Sequence, residues 1–134
     1  LFVEEWDNGI LTLNQPAGNL EKDETLIAGM QRELWEETGI ENIKIEKLLK
    51  IYQWHAPSSK TDFLRFTFVL ELNECCEITP YDSDITRGLW LSWDEFQHYI
   101  QQPGQGARSP LVVESIRDYF AGTFYSIDLL RCIS

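Results

Sequence analysis

Between Gly18 and Ile40 the chain carries a run that fixes both a local shape and a chemistry. Gly18 is followed after five residues by Glu24, and after seven more by Arg32-Glu33-Leu34-Trp35-Glu36-Glu37-Thr38-Gly39-Ile40. At average residue usage, the seven fixed identities in this register arise by accident with a probability on the order of 10⁻⁷ to 10⁻⁶. On a helix, Glu33, Glu36 and Glu37 stand at i, i+3 and i+4, so their carboxylates share one face within a turn. Like charges at that spacing destabilise a helix, by more as water is excluded, and a bound cation is the natural way to satisfy them. A solvated acidic helix face explains a lone Glu-Glu pair, but not the whole run in register.

The ligand atoms are hard oxygens with no Cys or His close in sequence, which suits Mg²⁺, or alternatively Mn²⁺, rather than Zn²⁺. Mg²⁺ held by a few carboxylates keeps positions for water and substrate phosphate, so phosphoryl or pyrophosphoryl chemistry leads. Arg32 either forms a surface ion pair or orients a glutamate. Asp23 is the expected N-cap of the helix and Gly39 its left-handed stop. Leu26, Ile27, Met30 and Leu34 supply an apolar stripe for the core. Gly29, in mid-helix, costs about 1 kcal/mol relative to Ala, so either close packing or a local tolerance is expected there.

With 134 residues and a net charge of −11, one domain over residues 1–134 is expected, long enough to bury a core. The charge argues against polymeric nucleic acid or an anionic membrane as partner. No apolar run approaches the ~20 residues of a membrane span and no signal peptide opens the chain, so a cytoplasmic location is the default expectation. Cys75, Cys76 and Cys132 form neither a disulfide framework nor a zinc pattern and are expected to pack. His55 and His98 have no partner at ligand spacing and receive no catalytic role.

Alternation and turn residues predict strands over Leu1–Trp6, Ile10–Asn14, Ile43–Trp54, Asp62–Leu72 and Leu89–Ser92, with a turn at Asp7-Asn8-Gly9. Helices are predicted over Trp93–Gln101 and from Ser109-Pro110 to Ala121, and 102–106 reads as a loop. In the fourth strand, Leu64, Phe66, Phe68, Leu70 and Leu72 are the expected core face, and Phe63, Arg65, Thr67 and Val69 lie on the other. The fold class is α/β (α+β), with one mixed sheet between helices. Trp54 and Phe63 either stack on a substrate ring or pack in the core, and Arg65 either reaches a phosphate or is solvated. Arg108 precedes a helix N-terminus, an anion site, and is the stronger phosphate candidate.

The run from Gly18 to Ile40 is the complete Nudix box, and the chain resembles the Nudix hydrolase superfamily well beyond it. The stretches Asn14–Gly18, Gln53-Trp54, Phe63–Phe66, Asp82–Ile85 and Arg108–Leu111 with Glu114–Arg117 resemble a bacterial phosphatase branch. That resemblance implies the Nudix fold and Mg²⁺-dependent release of inorganic phosphate. The implied substrates are small phosphoanhydrides: nucleoside tri- and diphosphates, thiamine pyrophosphate and its hydroxymethylpyrimidine pyrophosphate precursor. It also implies that Glu33, Glu36, Glu37 and the Ala17 carbonyl hold metal, with Glu33 or an acid outside the box as general base. Arg32 joins the catalytic set, and Gly18, Glu24, Arg32 and Gly39 support the ligands. Asp82 and Asp84 lie where related enzymes place a further carboxylate, or else they cap their loop. Members of the family open with a further strand, so this chain is expected to start inside the fold. Nudix proteins are often dimers, and the resemblance is compatible with either a monomer or a homodimer. Two other readings share the box: a pyrophosphohydrolase releasing pyrophosphate from triphosphates, and a nucleotide-binding module without turnover.

Overall fold

Asn8 and Gly9 take positive φ values of 49° and 80°, the geometry of the tightest hairpin turn, and the strands they join begin the fold. The computed structural model describes residues 1–133. The first strands are β1 (Phe2–Asp7) and β2 (Ile10–Asn14), and the box helix α1 spans Leu26–Thr38. There follow β3 (Lys47–Ala56), β4 (Thr61–Val69), β5 (Ile85–Leu89), α2 (Trp93–Ile100), β6 (Gln105–Ala107), α3 (Pro110–Ala121) and β7 (Tyr125–Ser126), then a 3₁₀ turn over Ile127–Leu129.

The class is as the sequence implies, but the single expected sheet is two. One is four-stranded and mixed, in the order β5-β1-β2-β6, and the other is three-stranded, β4-β3-β7. The mixed character comes from β6, which runs parallel to β2 in a stretch expected to be loop. Its sequence, Gln105-Gly106-Ala107, has no alternation to announce it. The same is true of β7, a dipeptide that pairs with the start of β3.

The first sheet lies against α2 and α3 through a core of Phe2, Leu13, Phe96 and Val112. The Phe2 and Phe96 rings stack 4.8 Å apart. The second sheet meets α3 through Tyr52, whose hydroxyl donates to Asp118 Oδ2 at 2.6 Å. Along β4 the expected core face is only partly inside: Leu64 is 65 % exposed, whereas Val69, on the opposite face, is buried. Ile51 on the paired strand is 52 % exposed as well, so alternation persists there without burial, although Ala56 at the end of β3 is buried.

Several boundaries move for identifiable reasons. Thr25 is the N-cap of α1, accepting from the Ala28 N–H, while the expected cap, Asp23, takes a left-handed φ of 66° in the preceding turn. The strand expected at Leu89–Ser92 is β5 at Ile85–Leu89, because Ser92 is committed to a reciprocal capping box with Glu95 that starts α2. β3 begins at Lys47 rather than Ile43, and β4 stops at Val69. Of close packing and local tolerance, the two alternatives for Gly29, the structure has the first: a Cβ there would lie 2.9 Å from Glu24 Oε1 and 3.2 Å from Leu20 Cδ1. Cys75 and Cys132 are exposed rather than packed, and only Cys76 is partly covered.

Candidate active site

α1 carries the box, and its flanks hold it in place. The segment before β5 docks on its C-terminal end, where the Thr79 N–H donates to Thr38 O and those of Tyr81 and Asp82 donate to Glu36 O, at 2.8–2.9 Å. These bonds satisfy carbonyls that a helix end leaves open. Tyr81 also stacks on Trp35 with ring centroids 4.6 Å apart. Gly39, at φ 75°, closes the helix, and a Cβ on it would sit 2.9 Å from Thr79 O. Asp82 is thereby brought to the box. Its carboxylate accepts from the Asp84 N–H at 2.9 Å, so it also caps its loop, while Asp84 itself is exposed.

Arg32 organises the box. Its guanidinium donates to both oxygens of Glu24 (2.8 and 3.1 Å), to Glu33 Oε1 (2.7 Å), to Glu36 Oε2 (3.3 Å) and to the Asn19 carbonyl (2.9 Å). The bonds to Glu24 and Glu33 raise the Arg32 pKa still further, and the bond from Arg32 holds Glu24 below the usual carboxylate range. Arg32 is thus a partly buried ion-pair centre that touches two of the box glutamates on α1. Gly18 lies directly over Glu33: a Cβ there would fall 1.9 Å from Glu33 Cδ. Only a residue without a side chain admits that carboxylate.

Glu37 is different. It is buried, with the Ala17 N–H at 3.3 Å as its hydrogen-bond donor. Burial pushes its pKa up to about 8 despite that bond, and the nearby charges of Glu33, Glu5 and Asp82 add to the shift. Glu5 was not singled out by sequence reading, because one acid in Val3-Glu4-Glu5-Trp6 looks like any solvent-facing strand residue. A β-bulge between Glu4 and Glu5 shifts the pairing with β5, and the two acids face opposite ways. Glu4 joins Arg87, Thr86 and Tyr99, and Glu5 faces the box.

Among the described residues no three His, Cys, Asp or Glu side chains already converge on one metal position, since Arg32 engages Glu33 and Glu36 while Glu37 turns to Ala17. The donor set nevertheless fits a hard divalent cation. It consists of carboxylate oxygens, one of them buried without a cationic partner.

A cleft of about 1050 Å³ runs from Ala17, Gly18 and Glu33 past β4 to α3. Arg65, Trp54, Phe63 and Arg108 line it. Trp54 and Phe63 are cross-strand partners that stack on each other at 5.4 Å, and Phe63 remains 38 % exposed. Arg108 is engaged, with Nε at 3.3 Å from Glu5 and Nη1 at 2.7 Å from Asp7. Four buried polar atoms on residues lining the cleft have no hydrogen-bond partner among the described residues: Asn14 Oδ1, Gln15 Oε1, Thr67 Oγ1 and Ser109 Oγ. Ser109 precedes α3 without capping it through its side chain. No helix among the described residues is long and apolar enough to cross a membrane.

A family profile described as the NUDIX domain matches residues 2–111. The chain is 46 % identical over 130 residues to the phosphatase NudJ of Escherichia coli K12, covering 97 % of this chain and 80 % of that protein. It is similar to the same degree to the phosphatase NudJ of Shigella flexneri. A solved NUDIX hydrolase from Nitrosomonas europaea superposes with a TM-score of 0.85 at 39 % identity, over 98 % of this chain and 86 % of that one.

Proposed function

The chain belongs to the Nudix hydrolase family, and on that premise we propose that it is a Mg²⁺-dependent phosphatase of small phosphoanhydrides. The proposed substrates are nucleoside tri- and diphosphates, thiamine pyrophosphate and hydroxymethylpyrimidine pyrophosphate, from which it removes terminal phosphate as inorganic phosphate. The family assignment and the relation to NudJ phosphatases make it a hydrolase of phosphoanhydrides. The substrate list, the ion and the roles of individual residues are the proposal, which takes residues 1–134 as one catalytic unit.

The observation that carries the reading is Glu37, a buried carboxylate beside Glu33, Glu5 and Asp82 that makes no ion pair among the described residues and has a backbone N–H as its hydrogen-bond donor. Glu33, Glu36, Glu37 and the Ala17 carbonyl would hold the metal. A divalent cation bound there would offset the phosphate charge and lower the pKa of an attacking water. Arg32, bonded to Glu24, Glu33 and Glu36, fixes the direction in which those carboxylates face. Glu24 and the Asn19 carbonyl hold Arg32 in turn, a supporting layer whose loss typically costs 10- to 100-fold. Glu33, or an acid outside the box, would accept the proton of the water.

The test is to incubate the protein with Mg²⁺ and a panel of nucleoside triphosphates, diphosphates and thiamine pyrophosphate, and to resolve the products. Phosphate alone, with diphosphates also consumed, supports the phosphatase. Pyrophosphate from triphosphates makes the protein a pyrophosphohydrolase. Tight nucleotide binding with no turnover makes it a binding module.

A further inference from the structure

Two arginines line the cleft, and they are in opposite electrostatic situations. Arg108 is held by Glu5 and Asp7, with its closer contact at 2.7 Å, so most of its charge is spoken for. Arg65, in β4 and paired with Tyr52 of β3, is partly buried, and its guanidinium makes no hydrogen bond or ion pair to any described residue. Burial and the neighbouring Arg108 both lower the Arg65 pKa, opposed only by attraction from Glu37. A partly buried guanidinium beside a like charge is a costly arrangement for a protein to keep, and it becomes favourable only when an anion joins it. Arg65 also shares its strand face with Thr67, whose buried hydroxyl oxygen lacks a partner, as residues i and i+2 of a strand do. The side-chain oxygens of Asn14, Gln15 and Ser109 lack partners on the same cleft. Of these atoms only the Thr67 and Ser109 hydroxyls can donate to an anion, because the amide oxygens of Asn14 and Gln15 only accept, so the anion contacts on this cleft fall to Arg65 and the two hydroxyls.

We propose that Arg65, rather than Arg108, is the phosphate-binding residue of this cleft, and that Arg108 is a positioning residue that holds Glu5 and Asp7 in place. This rests on the phosphoanhydride reading above and assigns the residue that grips the substrate's phosphate end. The planar guanidinium presents paired donors to adjacent phosphate oxygens, a match that a lysine makes only as a point charge.

The experiment uses inorganic pyrophosphate as the probe and the whole chain freed of metal by EDTA, at low salt. Isothermal titration calorimetry compares the wild type with Arg65→Gln, Arg65→Lys and Arg108→Gln. Hydrogen bonds to charged groups lead us to expect Arg65→Gln to weaken pyrophosphate by about 10- to 100-fold. Arg65→Lys should recover part of the affinity, and Arg108→Gln should lose less than Arg65→Gln. Without pyrophosphate, Arg65→Gln should melt at or above the wild-type temperature, because an uncompensated charge has been removed, and pyrophosphate should raise the melting temperature of the wild type more than that of Arg65→Gln. With Mg²⁺ and a hydrolysed substrate, Arg65→Gln should raise KM more than it lowers kcat.

The assignment is overturned if Arg65→Gln binds pyrophosphate as the wild type does, if Arg108→Gln loses more, or if the wild type shows no measurable affinity. It is also overturned if Arg65→Gln melts lower and Arg65→Lys restores nothing, which would make Arg65 a packing residue. Because binding is read without metal or turnover, a wild type that hydrolyses nothing yet binds pyrophosphate through Arg65 would remove the proposed function and leave this assignment standing.

Discussion

Two buried carboxylates, Glu4 and Glu37, show how one residue type serves opposite ends. They are 3 % and 6 % exposed, so desolvation acts on both. Burial pushes Glu4 up, but bonds from Arg87, Tyr99 and Thr86 outweigh it and hold the group below the usual carboxylate range. Burial also pushes Glu37 up, and its neighbours are acids, so it stays raised at about 8. Glu4 is a finished ionic latch joining β1, β5 and α2. Glu37 lacks an ion-pair partner among the described residues, as does Arg65, which lines the cleft.

The contrast is broken most forcefully at Glu37. Glu37→Gln should lower Mg²⁺-dependent turnover by roughly 10²-fold or more, measured as phosphate release at saturating substrate. The same variant should stabilise the metal-free protein at pH 8. A carboxyl whose folded pKa is raised binds its proton more tightly in the native state. Its contribution to stability is therefore complete below the unfolded value of 4.5 and is lost as pH rises toward about 8. In EDTA, the wild-type melting temperature should fall between pH 5 and 8, and Glu37→Gln should flatten that fall. A profile unchanged by the substitution would mean that Glu37 is not the strained group.

Glu4→Gln should do the reverse, costing stability and sparing kcat. Its three partners form charge-assisted bonds, but Arg87 is largely exposed, which reduces the value of that pair. A loss of about 1–3 kcal/mol is expected, read from urea unfolding at pH 7. Since the Glu4 pKa is lowered, that stability is present above pH 4.5 and disappears as pH falls through the folded value. Wild type and variant should therefore converge in acid.

Gly18→Ala tests how Glu33 is seated, because the added Cβ must displace the Glu33 carboxylate. Turnover should drop about tenfold or more while circular dichroism stays native. The smallest effect is expected at Thr25→Ala, which removes the N-cap bond of α1 and should cost about 1 kcal/mol of stability. Substituting Asp23, which does not cap the helix, should cost less.

Much of the site was legible because helical periodicity is local. The spacing of Arg32, Glu33, Glu36 and Glu37 places them on one face whatever the rest of the chain does, and the stop at Gly39 follows from backbone sterics. Gly29 announced either close packing or a local tolerance, and only the structure supplied its neighbours Glu24 and Leu20. Alternation along β4 was legible too, yet it misjudged Leu64, since a period of two says which residues share a face and not whether a layer covers it. β6 and β7 had no pattern to read, being held by pairing with β2 and β3.

From sequence alone followed the family, the acidic face of α1 and the preference for a hard divalent ion, all consequences of residue types at fixed short spacings. Only the tertiary structure decided which acids and arginines have partners. Glu5, Asp82, Arg65 and Arg108 come from four separate segments, and whether a charge is buried, paired or left for a ligand depends on side chains far away in sequence.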